Sequence, residues 1–156
     1  MREFQDTAGR IWRIALNLGT ALAVKQKLGV DLLQPEQGDP PLLTRLGTDE
    51  MLLGEVLCAL LGDQFDKNNV TDADVRAAFD GATLLLAQSA FYEELVDFFR
   101  QRGRADRARA VETQQKIILA AIDAATKRID GLDLPSLIDG VMSGSSPDVS
   151  VSTLGV

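Results

Sequence analysis

Histidine is absent from this chain. Its absence removes the one side chain that titrates near neutral pH unperturbed, together with the most frequent general base and metal ligand, so hydrolase and zinc-enzyme readings start at a disadvantage. Cysteine occurs once, which excludes an internal disulfide. Cys58 lies in the apolar run VLCALL, where it reads as a small buried hydrophobe rather than a reactive thiol. Long apolar stretches are also missing: hydrophobic residues make up 46% of the chain, yet no segment reaches the roughly 18 uninterrupted apolar positions of a membrane span. Positive charge is in the minority. A net charge of −7 argues against nucleic-acid binding, which needs a basic surface to neutralise phosphates, and points to protein partners instead. There is no glycine-rich phosphate loop, no GxSxG elbow and no paired-cysteine site. The sequence therefore implies a non-enzymatic protein with no cofactor and no metal.

The opening MREFQDTAGR lacks the apolar core and cleavage site of a signal peptide, so the expectation is a cytoplasmic chain. With 156 residues, one domain that buries about two thirds of its unfolded surface is expected, over residues 1–142, followed by a small, polar, flexible tail over 143–156.

What is present is helical periodicity. Aromatic residues are few, and half of them fall in the stretch from Asp80 to Arg102, which reads as the central helix. Leu84, Leu85, Phe91, Tyr92, Leu95, Val96, Phe98 and Phe99 share one broad arc, with Glu93, Glu94, Asp97, Arg100 and Gln101 opposite. Gln88 falls inside the apolar arc and should bond a backbone group. Leu86 falls on the polar side, where a partner can dock.

Ahead of this helix, residues 2–16 read as a β-hairpin. Trp12, Ile14 and Leu16 alternate with Arg13 and Ala15, Phe4 lies on the partner strand, and Gly9 closes the turn in a left-handed conformation. Two strands are marginal alone, so Trp12 should anchor the hairpin on helices. A short helix follows from Leu18, capped by Asn17, stopped by Gly29, and carrying Leu18, Leu22 and Leu28 with Ala21 and Val24. The prolines and glycine of VDLLQPEQGDPP enforce a loop. Leu42–Leu46 reads as a short helix ended by Gly47. Thr48 then caps a largely buried helix through Met51, Leu52, Val56, Leu57, Leu60 and Leu61, and Thr71 caps another that carries Val75, Ala78 and Phe79. The run DKNNVTDAD fails as a calcium loop, because the sixth and twelfth positions from Asp66 are Thr71 and Ala77 rather than glycine and glutamate.

Beyond Gly103 a long helix is expected from Ala105 to Ile129. Val111, Gln115, Ile118, Ile122, Ala125 and Ile129 form a seam at spacings of four and three, which suits antiparallel packing on the central helix. Ile117 and Leu119 lie off that seam: the helix either touches a second element of the domain, the reading favoured here, or presents apolar surface to something outside. Arg100, Arg102, Arg104, Arg107 and Arg109 cluster around the turn and can dock an acidic partner. Helix-dipole complementarity, with Asp97 and Asp106 pairing at helical spacing, is the stronger explanation of the cluster. Pro135 opens a last short helix. The fold class is mainly α: a small helical domain with an N-terminal β-hairpin and a long C-terminal helical hairpin.

The phrases EFQDTAGRIWRIALNLGT, VDLLQPEQGDPPLLTRLGTDEMLLGEVL and YEELVDFFRQRGRADRARA, set in this layout over residues 2 to about 130, resemble the tail assembly chaperones of long-tailed bacteriophages and prophages. The resemblance implies a small acidic helical protein of the host cytoplasm that binds the tape-measure protein, keeps it soluble during tail assembly, and is absent from the mature virion. A frameshifted longer form that recruits tail-tube protein would join near Ser143. Self-association is left open. The resemblance transfers no binding residues by position, so the candidates are physical ones: Leu86, Ile117, Leu119 and the five arginines. Two rival readings are a structural head-tail or tail component, and a helical adaptor unrelated to phage.

Overall fold

The computed structural model describes residues 1–131. Two compact units are distinguished, Met1–Ile118 and a second that begins at Leu119. The expected domain end at residue 142, the helix opened by Pro135 and the tail from residue 143 lie outside the described residues.

The first unit opens with strands β1 (Arg2–Gln5) and β2 (Ile11–Ile14), paired antiparallel with Phe4 opposite Trp12. Gly9 takes φ +81° in the connection, the left-handed conformation that costs glycine little. Helices follow as α1 (Leu18–Leu28), α2 (Leu42–Thr48), α3 (Glu50–Leu61), α4 (Asp72–Ala77), α5 (Gly81–Gln101) and α6 (Ala105–Asp130). The mainly α class with an N-terminal hairpin and two long C-terminal helices is thus observed.

Trp12 is completely buried. Its ring meets Phe65 and Phe79 edge-on, with centroids 5.9 and 6.4 Å away, and Phe79 also takes Phe4 edge-on at 5.5 Å. Such edge-to-face contacts add to area burial. The sheet rests on α5 and α3, and α3 also packs against α1 and α2. Side chains of Leu53, Val56, Leu57, Leu61, Phe91, Leu95 and Phe99 fill the space between them.

Caps account for most helix starts. Asn17 and Thr20 form a reciprocal capping box, as do Thr71 and Asp74, and Asp80 accepts from the Thr83 N–H. Between α2 and α3 the expectation is corrected. Gly47 does not end α2, which continues to Thr48, and the cap of α3 is Asp49, whose carboxylate accepts from Leu52 N at 3.0 Å. Thr48 Oγ1 donates back to Thr44 O instead. A Cβ on Gly47 would come within 2.6 Å of Gln114 Nε2 and 3.0 Å of Ile118 Cδ1, so the glycine allows α2 and α6 to approach closely.

Several side chains depart from the helical-wheel reading. Leu18 and Leu22 are 74% and 51% exposed, because α1 turns its small residue Ala21, with Val24, toward α3. Leu85 is exposed near the start of α5. Glu94, expected on a solvated face, is buried: it accepts from Leu16 N at 2.9 Å, and the Met1 ammonium lies 2.8 Å from its other oxygen without hydrogen-bond alignment. Among the described residues Gln88 makes no backbone bond, and it approaches Tyr92 instead. Burial pushes the Tyr92 phenol up, Gln88 opposes that shift, and the hydroxyl lacks an aligned partner.

Candidate functional site

The turn between α5 and α6 is built by backbone bonds. Arg102 N donates to Phe98 O, Gly103 N to Arg100 O, and Arg104 N to Phe99 O at 2.8 Å, with Gly103 at φ +72°. Of the five arginines, Arg102, Arg104 and Arg107 line one cavity at this corner and Arg100 and Arg109 do not. Arg100 bonds Glu112 at 2.7 Å. Arg104 makes a two-pronged contact with Asp106, 2.9 and 2.8 Å; the Arg104 guanidinium holds the Asp106 carboxyl well below the usual carboxylate range.

Arg107 is bound most firmly. Its guanidinium donates to both carboxylate oxygens of Glu36, at 3.0 and 2.7 Å, and to the Leu33 carbonyl at 2.8 Å, and its Cζ lies 5.9 Å from the centre of the Phe99 ring. Arg107 therefore ties the proline-rich loop to α6, and the tie holds the Glu36 carboxyl below its ordinary range. Arg102 and Arg109 are exposed and have no ion pair among the described residues. Asp97, expected to pair within its own helix, is bonded by Arg2 of β1.

Two cavities meet at this corner. A small one of about 110 Å³ is lined by Leu33, Phe98, Phe99, Arg102, Arg104 and Arg107. A larger one of about 430 Å³ shares Arg104 and Arg107 and is walled by Pro35, Pro41, Leu43, Thr44 and Ala110 together with the carboxylate residues Glu36 and Asp106. The loop residues had no signal in the sequence, since the Glu36–Arg107 pair joins positions 71 apart.

The apolar candidates are each about half exposed. Leu86 on α5 is 54% exposed, and Ile117 and Leu119 are 55% and 50% exposed. Among the described residues neither Ile117 nor Leu119 belongs to the buried core or packs against it. The seam of α6 is buried at Val111 and partly buried at Ile118, while Ile122 and Ile129 are exposed. In the second unit every described residue from Leu119 to Gly131 is exposed.

Among the described residues no helix is long and apolar enough to cross a membrane, and no cluster of three metal-ligating side chains is found. No protein-family model matches the chain, and no curated protein or solved structure matches it significantly.

Proposed function

We propose that the chain is a non-enzymatic phage tail assembly chaperone that binds the tape-measure protein through apolar helix surface and keeps it soluble until the tail tube is built around it. The observation that carries this reading is the exposure of large aliphatic side chains on the two longest helices, Leu85 and Leu86 on α5 and Ile117 on α6. A tape-measure protein presents long amphipathic helices, and exposed aliphatic side chains on a partner helix cover such faces by packing into their grooves. The sequence resemblance supplies the biological setting: action in the host cytoplasm and absence from the finished particle.

Co-expression with the tape-measure protein encoded alongside is the test. A soluble complex that forms only when both chains are present supports the proposal. If the tape-measure protein stays insoluble, nothing co-purifies, and this chain is instead recovered from purified virions, the chaperone reading is replaced by that of a structural component.

A further inference from the structure

We propose that the corner between the proline-rich loop and the α5–α6 turn is a docking site for an acidic segment of a polypeptide partner, with a carboxylate on Arg102 and Arg104 beside the ion-paired Arg107 and an aliphatic side chain in the adjoining cavity. This inference stands apart from the tail-assembly reading and does not depend on it.

Three observations carry it. The small cavity is lined by three guanidinium groups, two phenylalanines and a leucine, with no carboxylate in its wall. Arg104 and Arg107 are paired with Asp106 and Glu36, so the cluster keeps the charge of Arg102 in excess in a chain of net charge −7, and arginine presents a planar fork that matches a carboxylate with two parallel bonds. Arg107 is held in place by the Leu33 carbonyl and Glu36, so little side-chain freedom remains to be lost when a ligand arrives. Arg102 brings a charge with no ion pair among the described residues.

The larger cavity shares Arg104 and Arg107 with the small one and continues it along Pro35, Pro41, Leu43 and Ala110. Its volume of about 430 Å³ falls within the ~300–1,000 Å³ of ordinary ligand pockets, and two proline rings stiffen its wall. An apolar slot beside a cluster of guanidinium groups fits a peptide that carries acidic and aliphatic residues together. A nucleic acid would meet net repulsion from the rest of the molecule.

The site is tested by fluorescence anisotropy with the full chain and a short fluorescein-labelled peptide whose two central leucines are flanked by aspartates and glutamates. Two companion peptides replace the acids by their amides or the leucines by serines. Arg102→Glu and Ala110→Glu alter exposed positions, and circular dichroism and melting establish that they fold. The expected result is saturable binding of the acidic peptide that weakens as salt is raised, is lost in the amide peptide, and falls roughly tenfold or more in each variant. Equal binding of the acidic and amide peptides by the unmodified chain, or unchanged binding by both variants, overturns the proposal. Displacement by inorganic phosphate together with indifference to the serine replacement overturns it too, leaving a simple anion site.

Discussion

The indole N–H of Trp12 donates to a carboxylate oxygen of Asp6 at 2.9 Å, with both residues buried. The same carboxylate accepts from the backbone N–H groups of Ala8 and Arg10, each at 2.9 Å, and from the Arg10 guanidinium at 3.3 Å. A buried charge is tolerable only when bonded in this way. Asp6 thus joins the hairpin turn to the aromatic core. Burial alone would push its carboxyl up, but the bonds from Trp12, Arg10 and Ala8 outweigh it and hold the group below its ordinary range.

Replacing Asp6 by alanine strands several buried donors and should cost about 3 kcal/mol, with Asp6→Asn losing less. Urea unfolding followed by Trp12 emission measures both, since the chain has one tryptophan. The sign of the pH dependence follows from the lowered folded value. Asp6 stabilises fully above its unfolded value of about 3.9, and the contribution disappears as pH falls through the lower folded value. The asparagine variant should lose that part of the acid sensitivity, and an unchanged acid-unfolding curve would contradict the assignment.

At Glu94 the two natural substitutions should separate. Glutamine keeps an acceptor for Leu16 N, whereas alanine leaves that buried N–H unpaired at a cost of roughly 1–3 kcal/mol. Equal unfolding midpoints for Glu94→Gln and Glu94→Ala would show that the Leu16 bond contributes nothing.

Aspartate placed at Leu86 or Ile117 should leave stability within about 0.5 kcal/mol, because surface changes away from caps and networks rarely do more, while weakening capture of the tape-measure protein. Leu95, 1% exposed on the inner face of α5, serves as the contrast, since a charge there should prevent folding. Loss of helicity in the Leu86 and Ile117 variants would place these residues in the core and remove the surface that the proposed function needs.

Gly29 and Gly54 offer a comparison free of packing, because a Cβ would meet nothing within 4 Å at either position. Gly54 lies inside α3, where alanine should stabilise by roughly 0.5–1 kcal/mol. Gly29 closes α1 at φ +68°, a conformation that costs other residues about 1 kcal/mol, so alanine should destabilise there. Thermal melts of the two single variants should shift in opposite directions.

Elements were legible in the sequence where local chemistry decides them. Asn17 and Thr71 mark helix starts, Gly29 and Gly103 mark stops, and alternation about Trp12 marks the hairpin. Local signals failed where a distant partner decides. Nothing near Glu94 announces that Leu16 will bond it, and nothing near Gly47 announces the approach of Gln114. Leu18 and Leu22 satisfy a helical period, yet α1 presents Ala21 inward because a small side chain allows close contact with α3. The candidate corner was half legible. The arginines stand together in the sequence, but the loop that turns them into a site is contributed by Leu33, Pro35, Glu36 and Pro41, far away in the chain.

Arg107 is where this long-range tie can be measured. The side chain is 20% exposed and its partner Glu36 50%, so solvent screening limits the ion pair itself to about 1 kcal/mol or less. The Leu33 carbonyl bond and the Phe99 face add to it, and Arg107→Ala should therefore cost more than Glu36→Gln, roughly 1–3 kcal/mol against under 1. Arg107→Lys retains the charge but cannot span both oxygens of Glu36 while reaching the Leu33 carbonyl, so it should fall closer to alanine than to the parent chain. A double-mutant cycle across Arg107 and Glu36 isolates the pair. A coupling indistinguishable from zero, with Arg107→Lys as stable as the parent chain, would mean that the loop is held by its prolines and apolar contacts alone.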